Sequence, residues 1–164
     1  MTLNEYFNKC RFYLKTEDNS LLEDLNTFNK ELLIKYPWLK LNNHEKSELL
    51  NTLLDMLPTG WRIALGDELC REIDEELKKY NYSAVEDIIK VDRKKFIGLN
   101  WRCDKLDSVQ KIIDRYEELF QKVCIICGSQ ATKISPNLKA PYCSKCAEDL
   151  KISPLLNIEE YYFD

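Results

Sequence analysis

Two cysteine pairs, Cys124-Ile125-Ile126-Cys127 and Cys143-Ser144-Lys145-Cys146, constrain this chain more than any other feature of its 164 residues. Fifteen residues separate them. A CxxC turn points both sulfurs at one locus, and two such turns supply the four thiolates of a tetrahedral site. Gly128 follows the first pair directly, where a residue free to take positive φ closes the turn. The spacing predicts one structural zinc site on Cys124, Cys127, Cys143 and Cys146. Two other chemistries share it: a rubredoxin-type iron site, and a dithiol switch that spends part of its time metal-free. A catalytic zinc keeps an open position and draws on histidine or carboxylate ligands, whereas here all four candidates are thiols.

The remaining sequence offers little for catalysis. His44 is the only histidine and reads as a solvated residue in a helix's first turn. Four glycines are dispersed with no phosphate-binding loop, and no nucleophile–base signature is present. The carboxylates of Asp67, Glu68, Asp74 and Glu75 fall on a helix face interleaved with Arg71 and Lys78, as a solvated face would. We therefore expect a non-enzymatic protein. Charge narrows the partners. Residues 1–57 carry 7 basic and 9 acidic groups, residues 58–121 carry 12 and 14, and residues 122–164 carry 5 and 5, so no segment is basic. Nucleic-acid binding needs an excess of lysine and arginine on some face. The N-terminus shows no secretory pattern and no apolar run has the length of a membrane span, which predicts a cytoplasmic protein with no membrane partner. Cys10, Cys70 and Cys103, widely spaced among apolar neighbours, are expected to be buried thiols.

Periodicity gives the fold class: α+β, with a mainly α-helical N-terminal half, a short antiparallel β-hairpin and a C-terminal zinc ribbon. Three segments follow: a helical one over 1–57, an α+β core over 58–121, and the ribbon with its tail over 122–164, packed on the core. Leu3, Tyr6, Phe7, Cys10 and Leu14 share one helical face, as do Leu21, Leu25, Phe28, Leu32 and Tyr36. Pro37-Trp38-Leu39 reads as a corner between helices. Leu49, Leu50, Leu53, Leu54 and Leu57 predict a third helix from about His44 to Leu57. The row Trp61, Leu65, Leu69, Ile73, Leu77 predicts a fourth from Trp61 to Tyr80.

From Asn81 the pattern shifts toward period 2. Residues 85–91 and 96–103 are expected to be strands joined at 92–95, with Ile97, Leu99, Trp101 and Cys103 on one face. This hairpin holds the densest basic cluster, Lys90, Arg93, Lys94, Lys95 and Arg102, beside Phe96 and Trp101. It is either a nucleic-acid or anion contact, or a charged edge that discourages strand-to-strand aggregation. Asp107-Ser108-Val109-Gln110 looks like a capping box opening a helix with Val109, Ile112, Ile113, Tyr116, Leu119 and Phe120 inward. That helix runs into Cys124 without a linker. Between the cysteine pairs, Pro136, Asn137 and Pro141 suit a short irregular hairpin, and a helical turn starts at Cys146. The acidic, aromatic tail over 158–164 either packs back on the body or serves as an adhesive end.

Taken in order, Gly60-Trp61, Leu65, Glu68-Leu69-Cys70 and Ile73, then Lys94-Lys95-Phe96-Ile97-Gly98-Leu99-Asn100-Trp101, then the two CxxC pairs, resemble a loose group of small bacterial and prophage proteins. Members of that group carry a GW…ELC helix, a KFGxLR-like hairpin and a C-terminal four-cysteine zinc ribbon. The resemblance spans roughly residues 58–150 and implies the same architecture. This chain departs from it in placing Ile97 before Gly98 and Asn100 where the group tends to have arginine, so no role of that arginine carries over. The group is functionally uncharacterised, and two function classes stay open. One is a non-enzymatic, zinc-stabilised module that binds another protein, such as an immunity protein or a phage-encoded inhibitor of a toxin or defence factor. The alternative is a nucleic-acid-associated accessory or regulatory factor that uses the Lys90–Arg102 hairpin and the ribbon.

Overall fold

Helix α1 (Asn19–Lys35) is the first element of the computed structural model, which describes residues 19–42, 51–92 and 97–163. The helix expected before it, Cys10, His44 and the Arg93, Lys94 and Lys95 cluster lie outside the described residues. Phe28, Leu32 and Tyr36, four residues apart, are buried on its inner side. Pro37 cannot continue the helix, and Pro37–Leu39 forms a single 3-10 turn that buries Trp38 and Leu39 completely. The Trp38 indole N–H donates to Asp74 Oδ1 at 3.3 Å, and its ring meets Trp101 edge-on with centroids 6.3 Å apart.

The third helix expected up to Leu57 is not found over its second half. Thr52 is extended and bridges Lys40, and Leu53–Met56 makes one 3-10 turn. The cause is the Asp55 carboxylate. Its Oδ2 accepts from the Asn51 and Thr52 N–H groups at 3.0 and 2.8 Å and from the Thr52 hydroxyl at 3.0 Å, which withdraws those amides from any helical ladder. Its Oδ1 meets Arg62 Nη1 at 2.6 Å, in a pair whose side chains are only 1% and 3% exposed. The helical spacing of Leu53, Leu54 and Leu57 thus serves a compact turn whose leucines are still buried.

The fourth helix is present but interrupted: α2 (Thr59–Trp61), a π turn (Arg62–Gly66), then α3 (Asp67–Lys79). The wider turn begins at Arg62, where it meets Asp55, and breaks the expected four-residue seam. Trp61, Leu69, Ile73 and Leu77 stay fully buried, while Leu65 rotates to its edge and is half-buried.

The hairpin is real but short: β1 (Lys90–Val91) pairs with β2 (Trp101–Arg102), Lys90 opposite Arg102 and Val91 opposite Trp101. Among the described residues, the long strands expected over 85–91 and 96–103 are reduced to these two pairs. Instead Leu99 and Asn100 turn their N–H groups to Glu117 Oε2, at 2.7 and 3.3 Å, and Asn100 adopts φ 55°. Gly98 lies against that carboxylate, where an added Cβ would come within 2.7 Å of Glu117 Oε1. Leu99, Trp101 and Cys103 nonetheless face the core as expected. Replacing Glu117 with alanine strands two backbone donors, and we expect a cost of about 2 kcal/mol. A lower urea midpoint with an unchanged m value would register it.

Helix α4 (Asp107–Phe120) packs along α3 with Val109, Ile113, Tyr116 and Phe120 inward. Its expected capping box is absent: Leu106 is the N-cap, and Gln110 Oε1 accepts from the Cys103 N–H at 2.7 Å instead. The ribbon adds β3 (Lys133–Ser135), β4 (Ala140–Tyr142) and a short helix, α5 (Ser144–Asp149). The tail packs back. It forms β5 (Leu156–Asn157) and α6 (Ile158–Phe163), giving an antiparallel sheet in the order β4-β3-β5. Tyr162 donates to Gln121 Oε1 at 3.1 Å, tying α6 to the end of α4. Among the described residues, no helix is long and apolar enough to cross a membrane.

Candidate metal centre

The first knuckle is built on its own backbone. Gly128, at φ 80°, donates to the Cys124 carbonyl at 3.0 Å, and the Cys124 N–H donates to the Ser129 carbonyl at 2.8 Å. The second knuckle leaves β4 through Cys143 and turns into α5, where the Cys146 N–H donates to Cys143 Sγ at 3.4 Å. The Ile125 N–H reaches the Pro141 carbonyl at 3.0 Å and joins the two. As a result the Sγ atoms of Cys124, Cys127, Cys143 and Cys146 all lie within 4.8 Å of one another. The sulfurs of Cys127 and Cys143 stand 3.7 Å apart. Four thiolates about 2.3 Å from a central zinc would have edges of about 3.8 Å, so the donor set and its spacing fit a tetrahedral metal. All four candidate ligands are thiols carried on two turns, the donor set of a structural site.

Electrostatics at the four thiols is uneven. Burial pushes the Cys143 thiol up, but the Cys146 N–H, Ser129 and the neighbouring thiols outweigh it and bring it down to about 6. Cys127 is likewise lowered despite its desolvation, through Ser129, whose hydroxyl lies 3.0 Å from its sulfur. Cys146 moves the other way, raised by burial and by the adjacent Cys143 and Cys127 sulfurs. Thiols crowded together in this way share protons, and a cation that binds all four as thiolates must displace them. Cys70 and Cys103, away from the cluster, are buried and unbridged, and burial drives the Cys70 thiol far up.

The support for this centre comes from a distant stretch that sequence reasoning did not connect to it. Gly60 sits directly on the first knuckle: its N–H donates to the Ile125 carbonyl at 2.9 Å. A Cβ there would lie 2.1 Å from the Cys124 carbonyl oxygen and 2.6 Å from the Gly128 nitrogen. The contact is reciprocal, since a Cβ on Gly128 would lie 2.7 Å from the Gly60 oxygen. Next to it, Trp61 donates its indole N–H to the Val123 carbonyl at 2.8 Å and stacks on Phe120 with centroids 4.8 Å apart. The Gly-Trp pair is therefore the seat of the metal centre on the helical body. The sequence marks this pair as a glycine beside a large aromatic at a helix start and as part of the GW…ELC resemblance, neither of which reveals what it faces.

Of the basic hairpin residues, the described ones are Lys90 and Arg102, opposite each other in the register. Lys90 lies 3.2 Å from Asp104, and Arg102 lies 3.1 Å from Asp104 and 3.7 Å from Asp92. Beside them, between β2 and α4, opens a trough of about 450 Å³ lined by Asp92, Asp104, Asp107, Asp114, Glu117 and Arg102, among others. Compared with known proteins, the chain matches no family model, no curated protein and no solved structure.

Proposed function

We propose that this is a non-enzymatic, zinc-stabilised module that binds another protein, of the kind an immunity protein or a phage-encoded inhibitor of a toxin or defence factor would be. The observation that carries the reading is the charge around the hairpin. Lys90 and Arg102, the described cations of the candidate nucleic-acid surface, are each within ion-pair distance of a carboxylate, and the neighbouring trough brings more acid than base. Such a face repels a phosphate backbone and attracts a basic protein, and complementary charge would speed encounter as well as select the partner. The four-thiol centre supports the metal reading, since an all-thiol donor set is the one structural zinc sites use.

The test is cross-linking capture from the source cells with the intact, metal-loaded protein as bait, run beside an Asp107→Lys/Asp114→Lys double variant. We expect the native bait to retain a protein with a basic face and the double variant to lose it about tenfold or more, with a strong dependence on salt. Equal retention by both baits would overturn the acidic-face reading. Nucleic acid bound at low salt and released by Arg102→Ala would replace it with the nucleic-acid factor.

A further inference from the structure

The four sulfurs are not equally placed. Cys124 is completely buried, its carbonyl under Gly60 and its amide held by Ser129. Cys143 and Cys146 are half-buried, and Cys127 alone is exposed, on the outer edge of the centre. Cys127 belongs to the first knuckle and Cys143 to the second, yet their sulfurs are 3.7 Å apart. A disulfide needs about 2 Å, so these two sulfurs must close by under 2 Å, and the exposed Cys127 is the less confined of the two. Closing Cys124 onto Cys127 would instead drag a sulfur whose backbone is clamped from both sides.

We propose that Cys127 and Cys143 form an oxidation site for hydroperoxides, in which a disulfide across the two knuckles expels the metal. The Cys127 thiolate attacks the outer oxygen of the hydroperoxide; the O–O bond breaks and the alcohol, or water, leaves with a proton from solvent. Cys127, oxidised by two electrons, is then a sulfenic acid. The Cys143 thiolate attacks that sulfur, the S–S bond forms, and hydroxide departs and is protonated to water. In sum, two thiolates, one hydroperoxide and two protons give one disulfide, one alcohol and one water. The metal keeps its oxidation state and is left with only the Cys124 and Cys146 thiolates, too few to hold it. The exposed edge of the centre is thereby an oxidant sensor, and its buried edge, seated on Gly60, passes the loss of the ion to the helical body.

This inference rests on the metal reading of the centre, and the experiment separates the two. Native mass spectrometry of the full chain first establishes its metal content; a chain purified without metal fails the metal reading on its own. The metal-loaded protein is then treated with hydrogen peroxide at up to about tenfold excess in the presence of a chromophoric zinc chelator, alkylated and mapped by peptide mass spectrometry. We expect stoichiometric release of the ion, a Cys127–Cys143 disulfide as the main product, unmodified Cys70 and Cys103, and recovery of the metal after dithiothreitol. Retention of the ion overturns the proposal. So does release accompanied by a Cys124–Cys127 or Cys143–Cys146 disulfide, or by sulfinic acid without a disulfide. No cysteine variant is needed, so a failure to fold cannot obscure the answer.

Discussion

Stripping the metal with a strong chelator is expected to unfold the C-terminal third of the molecule and to loosen the start of the α2–α3 helical segment with it. Binding of zinc by small four-ligand peptides is worth about 10–16 kcal/mol in apparent terms, comparable with or larger than the whole stability of an ordinary domain, about 5–15 kcal/mol. The ribbon has little to substitute for it. Its buried apolar residues outside the cysteines are Ile125, Ala131, Ile134, Ala140, Pro141, Tyr142 and Ala147, three of them alanines. The strands are two or three residues long and could not hold their register alone. Because Gly60 and Trp61 bond to the knuckle backbone, amide protection should fall over residues 59–66 as well as over 124–146. Hydrogen exchange with and without chelator reads both segments. Unchanged protection in the two states would show that the centre is dispensable.

Gly60→Ala is expected to cost about 3 kcal/mol or more, because the new methyl meets backbone rather than a side chain that can swing away. The nearest atoms are the Cys124 carbonyl and the Gly128 nitrogen, both fixed by the turn that holds the sulfurs. Either the knuckle lifts off α2 or the turn deforms, and both weaken the metal site. For a chain of this size the melting temperature should fall by about 10 °C. Gly66→Ala is the control. Its nearest contact is the Arg62 Cγ at 3.2 Å, an atom of the buried Asp55 ion pair rather than main chain, and its backbone is helical, so the change should cost less than Gly60→Ala and leave the knuckle in place. If the two substitutions cost the same, the Gly60 contact is not what seats the centre.

The helices whose apolar rows bury against one another were legible in the sequence. Phe28, Leu32 and Tyr36, and Val109, Ile113, Tyr116 and Phe120, keep helical spacing and are buried at those positions. The four cysteines were legible for a similar reason, since metal-ligand spacing is a local property of two turns. What escaped was decided by polar pairings that hydrophobic periodicity does not carry. Arg62 and Asp55 draw together and turn an apparent leucine helix into a single 3-10 turn. Glu117 collects the amides of Leu99 and Asn100 and shortens the hairpin from outside it. Gln110 has the position of a capping-box residue, yet its side chain is used by Cys103. The third ribbon strand, Leu156–Asn157, is two exposed residues whose only reason to be extended is their pairing with β3. In each case a carboxylate, an amide or a strand edge overrode the pattern of apolar residues.

The meeting of Gly60 and Gly128 main chains also says how kin of this chain could be sought. Paired CxxC motifs recur across unrelated ribbons and identify little. A Gly-Trp step at a helix start, placed well upstream of a CxxC-Gly, encodes a place where two stretches of main chain touch with no room for a methyl between them. A query requiring both would return chains whose knuckle rests on a helix in this manner, and would pass over those in which the ribbon hangs free.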